Sequence, residues 1–176
     1  ITTGSILGEL LMELWVWAFV GGLVGTFVMD VGARGFAKLG VNDALGGLLG
    51  RWVVGFARFE FVIDGHKEME SPETLFESRL GVAFHYIFGG GGVALVYPAW
   101  FAYTNFAFPD NQIVPGLIFG ALSVGLTWFL QYPCFGFGVF GQRGPEGSST
   151  ILPPIFLHSL YGLSIGIVLQ YGLQVS

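Results

Sequence analysis

Charge is what this chain has least of. Of its 176 residues only 11% are charged, against roughly 25% in an ordinary soluble domain, which excludes a soluble fold with a solvated charged surface. Cysteine is nearly missing too. Cys134 stands alone, so no intrachain disulfide and no thiolate metal cluster can form, and its plainest role is in the core. Signatures of catalysis are absent: there is no ordered Ser/His/Asp set, phosphate loop, metalloprotease helix or paired-carboxylate motif. On that ground a non-enzymatic role is the expectation.

What is abundant is apolar. Hydrophobic residues make up 53% of the chain, with 18 Phe and 29 Gly. Four runs approach or exceed the roughly 18 apolar residues that argue for a membrane span: about Leu14 to Gly35, Leu80 to Tyr103, Ile113 to Tyr132 and Ile151 to Tyr171. The expectation is one all-α integral membrane domain over 1–176 with four transmembrane helices and no room for a soluble domain. The chain begins at Ile1 and not Met, so its natural start is expected to have been processed or trimmed. The first span has no basic stretch before it and carries Asp30, so it reads as a retained helix and not a cleaved signal.

The net charge of −5 is local. Glu60, Asp64, Glu68, Glu70, Glu73 and Glu77 share one loop, so nucleic acid is not an expected partner. All seven basic residues, Arg34, Lys38, Arg51, Arg58, Lys67, Arg79 and Arg143, fall between the first and second or the third and fourth spans. The positive-inside rule puts those loops in the cytoplasm and both termini outside. Trp15, Trp17, Trp100, Tyr103 and Tyr171 then form an outer aromatic belt.

Gly21 and Gly25, Gly116 and Gly120, and Gly162 and Gly166 each have the four-residue spacing that lets helices approach closely. Gly89 to Gly92 interrupt the second span, where each glycine weakens a helix by roughly 1 kcal/mol relative to alanine; close packing, a kink or a bound group must compensate, and Gly89 and Gly92 are assigned to packing. Between the first two spans, about 44–58 is too short to cross and reads as an interfacial or re-entrant helix capped by Asn42-Asp43. Phe59 to Met69 reads as an extended loop with a solvated His66, and Ser71-Pro72-Glu73 as a helix start. Pro109-Asp110-Asn111 is an outer turn, and Pro133 ends the third span ahead of a buried Phe/Gly turn. His85-x-x-x-Gly89 and His158-x-x-x-Gly162 suggest two helix-pair repeats related by an axis along the membrane normal.

Asp30, His85, Gln131 and His158 are ionisable or amide groups inside these spans. Such groups are costly in a bilayer and face the bundle interior, so they form a candidate buried polar or ligand layer. The plainest reading is hydrogen bonding between helices. Three chemistries compete with it: His85 and His158 as axial ligands of a haem, the same histidines with a carboxylate on a divalent metal, or a proton path or headgroup site.

These residues carry a resemblance. Met29-Asp30, Gly50-Arg51-Trp52, His85-Tyr86 with Gly89, Gln131 and Pro133 before Phe135-Gly136-Phe137-Gly138, and His158 with Tyr161-Gly162 resemble the uncharacterised bacterial inner-membrane proteins of the YagU-like kind. The resemblance implies four spans and no established activity. The chain is expected to be a non-catalytic accessory or assembly subunit of a larger membrane complex, in contact with the lipid bilayer and other membrane subunits. A haem- or metal-binding redox subunit and a small transporter are the alternatives.

Overall fold

A computed structural model describes residues 3–38, 46–104, 106–145 and 151–175, and side chains at 12–37, 47–104, 106–145 and 151–174. All regular elements among the described residues are helical. Four stretches, Met12–Ala37, Leu75–Thr104, Ile113–Cys134 and Leu152–Gln174, are long and apolar enough to cross a membrane. The chain is an all-α multi-pass membrane protein. Large apolar side chains along these stretches stay exposed, among them Phe27, Phe88, Leu122 and Phe129, as a surface solvated by lipid requires.

In order, the chain forms α1 (Thr3–Lys38), α2 (Gly46–Phe56), α3 (Gly65–Met69), α4 (Leu75–Phe84), α5 (Val96–Thr104), α6 (Ile113–Leu126), α7 (Tyr132–Cys134) and α8 (Leu152–Val175). Two π-helical segments interrupt the second and third spans, at His85–Gly92 and Thr127–Gln131. Both have a local cause. The first contains the glycine run, which holds an α-ladder weakly. The second lies just before Pro133, which lacks an N–H and whose ring would clash with the carbonyl four residues back, that of Phe129.

Two local expectations are corrected. The helix after the acidic loop starts at Leu75, not at Ser71. Thr74-Leu75-Phe76-Glu77 is a capping box in which the Thr74 hydroxyl accepts from the Glu77 amide at 3.2 Å and the Glu77 carboxylate accepts from the Thr74 amide at 2.8 Å. That box satisfies two orphan amides reciprocally and so outcompetes a lone serine cap. The extended loop expected over 59–69 is extended only to Asp64, because Asp64 caps α3 by accepting from the Lys67 amide at 3.3 Å. The Asn42-Asp43 cap lies outside the described residues.

The chain divides into two compact units. The first comprises 1–29, 86–121 and 159–176. Its core is Ala18, Ala94, Tyr97, Tyr161, Ile165 and Leu169, and backbone contact at glycine closes its helix interfaces. A Cβ on Gly116 would lie 2.7 Å from the Gly162 carbonyl oxygen and from Gly166 Cα. One on Gly162 would lie 2.5 Å from Gly120 Cα. Gly21 and Gly25 meet α8 at Ile165 and Tyr161. In the glycine run the contacts fall on Gly90, against Thr26, and Gly91, against Phe19. Gly92 faces only the Ile87 carbonyl of its own helix. Gly90 also accepts from the buried Tyr161 hydroxyl at 2.6 Å, a partner for a backbone carbonyl at a widened turn.

The second unit comprises 30–85 and 122–158. Its core is Leu48, Leu49, Trp52, Tyr132, Phe135 and Phe137. Here α2 lies beside α4 and runs in the same direction. Gly47 meets the Glu73 side chain, Gly50 meets the Glu77 backbone, and further along the Trp52 and Phe56 rings pack on Phe84 at centroid distances of 5.8 and 6.2 Å. After Phe56 the chain reverses. Phe61 accepts from the Trp52 indole at 2.8 Å, and the Ile63 and Gly65 amides donate to the Cys134 and Phe135 carbonyls at 2.8 and 2.9 Å. The Phe/Gly stretch is a buried turn, with Gly136 and Gly138 at φ of +76° and +73°, a backbone glycine adopts at little cost. Cys134 is half-buried against this core.

Candidate functional site

All four residues of the expected polar layer lie in the second unit. Asp30 on α1 and His85, at the junction of α4 with the first π-segment, are brought together. His85 Nε2 donates to Asp30 Oδ1 at 3.2 Å. Their side chains remain 32% and 31% exposed, so the pair opens onto the surface of membrane-spanning helices.

His158 on α8 finds partners that the sequence reading missed. Ser123 Oγ lies 2.8 Å from its Nδ1 and Thr127 Oγ1 3.1 Å from its Nε2. An uncharged imidazole has one donor and one acceptor nitrogen, and two hydroxyls match either tautomer. Gln131, half-buried, closes the π-segment that Thr127 opens. Its carbonyl accepts from the Phe135 amide at 3.0 Å. Each histidine is thus bonded by the first helix of its own helix pair. Both π-segments also begin at polar-layer contacts, His85 and Thr127, and π-bulges are frequent at functional sites.

The donor set suits a haem or metal poorly. Both nitrogens of His158 are engaged by hydroxyls, and Nε2 of His85 faces a carboxylate. Among the described residues no three His, Cys, Asp or Glu side chains converge as a metal site would need.

A second polar centre was not anticipated. Arg51, on the short helix read from sequence as interfacial or re-entrant, has a side chain only 10% exposed. Its guanidinium donates to the carbonyls of Glu68, Ser71 and Pro72, the latter two at 3.0 and 2.7 Å, and pairs with Glu77 at 3.3 Å. It ties α2 to the segment that leads into α4. His66, expected to be solvated, is exposed but engaged: Nε2 donates to the Arg143 carbonyl at 2.6 Å and its ring packs edge-on to Phe137. In the first unit, buried Gln112 accepts from the Tyr97 hydroxyl at 2.7 Å and donates through its amide nitrogen to Gln170 at 2.8 Å and through its side chain to the Pro109 carbonyl.

The profile of a family described as protein of unknown function DUF2938 matches residues 19–170. The chain belongs to that family. The match takes in Asp30, Arg51, His85, Ser123, Thr127 and His158. No curated protein and no solved structure matches this chain significantly.

Proposed function

We propose that this member of the DUF2938 family is a non-catalytic subunit of a larger membrane assembly, and that the Asp30–His85 pair marks a polar spot where that assembly covers it. The carrying observation is the exposure of the pair, near one-third for each side chain. An ionisable pair on spanning helices is costly against lipid and is normally turned inward. The alternative functions gain less support. Redox ligation would require His158 to release two hydroxyls. A proton path through the polar layer is favoured by the placement of both π-segments, and pH-driven flux into liposomes tests it.

The finer expectations belong to the same reading: a bacterial inner membrane, a likeness to YagU-like proteins, termini on the periplasmic side, partners that are membrane subunits and not nucleic acid. The orientation is supported by the seven basic residues in two loops. The subunit role is tested by extracting the protein with its native lipids and measuring its mass. A discrete assembly that dissociates on Asp30→Leu or His85→Leu is expected, whereas a lone monomer contradicts the proposal.

A further inference from the structure

Residues 57–62 carry an unusual surface for a loop. Phe59 is 82% exposed, Val62 66% and Phe61 54%, and Phe59 sits at φ +60°, so the backbone spends conformational energy to turn an aromatic ring outward. The depth of this loop follows from its neighbours. α2 climbs beside α4 in the same direction, and α4 continues into the second span. The Trp52 and Phe56 rings rest on Phe84. With hydrocarbon starting near Leu80, a rise of about 1.5 Å per residue puts Phe84 roughly 6 Å inside. The chain then turns and descends to pair Ile63 and Gly65 with Cys134 and Phe135, at the end of the third span.

We infer that 46–64 is a re-entrant hairpin whose tip, residues 57–62, inserts into the headgroup–acyl boundary on the basic side and binds phospholipid. Phe59, Phe61 and Val62 lie among the acyl chains. Arg58, exposed and without an ion pair among the described residues, holds a headgroup phosphate, as arginine does when its stem lies along apolar surface and its head reaches water. The shallow depth suits the tip, because its partly unpaired backbone still meets interfacial water. The inference rests on the membrane reading and not on any partner subunit.

Nitroxide labelling tests it in full-length protein carrying Cys134→Ser, reconstituted in phosphatidylcholine/phosphatidylglycerol liposomes. Labels go at Phe59→Cys, Val62→Cys and Lys67→Cys, with Leu122→Cys on α6 setting the lipid-facing value. Collisions with oxygen should exceed those with a water-soluble nickel chelate several-fold at 59 and 62, as at 122, and the order should reverse at 67. Nickel dominating at 59 makes the tip an aqueous loop. Slow collisions with both reagents at 59 mean that protein, such as a second copy, covers it. Either result overturns the inference. Without labels, Arg58→Glu should reduce the amount of phospholipid retained, phosphatidylglycerol and phosphatidylcholine alike, several-fold in native mass spectra, and unchanged retention removes the phosphate contact.

Discussion

Gly162→Ala adds one methyl group where α8 meets the third span. The new Cβ would lie 2.5 Å from Gly120 Cα, while carbon atoms in contact prefer about 3.5–4.0 Å, so the helices must part by about 1 Å. The obstructing atoms are backbone and cannot rotate away. Overpacking of this kind costs about 1–3 kcal/mol, and the upper end applies. Alanine recovers about 1 kcal/mol of helix propensity, leaving a net loss of about 2 kcal/mol. Gly35→Ala is the matched control, since a Cβ there meets nothing within 4 Å and only the propensity gain of up to about 1 kcal/mol remains. The two variants should move in opposite directions in reversible unfolding titrated in mixed micelles. Gly116→Ala combined with Gly162→Ala should cost less than the sum, because the first separation makes room for the second. If Gly162→Ala is as stable as Gly35→Ala, the backbone packing described for the first unit is wrong.

Further expectations address the polar contacts. Tyr161→Phe removes the donor to the Gly90 carbonyl and should lower stability by about 0.6–1.7 kcal/mol, the range of hydrogen bonds between membrane helices, read in the same titration. Arg51→Lys keeps the charge but lacks the fork that reaches three carbonyls and Glu77; a glutamate-specific protease should cut at Glu68, Glu70 or Glu73 nearly as fast as in Arg51→Ala. His158→Leu removes the imidazole that bonds the Ser123 and Thr127 hydroxyls, so adding Ser123→Ala and Thr127→Val should restore part of the lost stability. A triple variant no better than His158→Leu would show that the histidine does more than satisfy hydroxyls. Thr74→Ala breaks the capping box and should cost about 1 kcal/mol, with faster amide exchange confined to the start of α4.

The spans follow from length and hydropathy, and the spacing of Gly116, Gly162 and Gly166 marks a close approach. In the glycine run, by contrast, the contacts with other helices fall on Gly90 and Gly91, and Gly92, assigned to packing, meets the Ile87 carbonyl of its own helix. Asp30 and His85 were placed in one candidate layer, since ionisable groups in apolar helices face the bundle interior, but which group would pair with which was not legible. Nor were the hydroxyls of Ser123 and Thr127. Serine and threonine recur in membrane helices and bond their own backbone, as Ser164 and Thr26 do here, so nothing in their sequence setting marks a histidine partner. The π-segments have local causes in the glycine run and Pro133, but a weakened ladder widens only where contacts elsewhere in the fold support it, as Tyr161 does at Gly90. Arg51 looked like an interfacial charge because the carbonyls it binds come from residues 17 to 21 positions away. The direction of α2 relative to α4, which sets the depth of the hairpin, is likewise a property of packing and not of pattern.

The mass of the protein extracted with its surrounding lipid from its native membrane tests the central proposal most directly. A discrete species heavier than one chain plus its lipid, lost in Asp30→Leu and His85→Leu while Leu122→Ala leaves it intact, is the expected result. A single chain with lipid alone, in wild type and variants alike, would contradict the account and leave the Asp30–His85 pair to a role within the monomer.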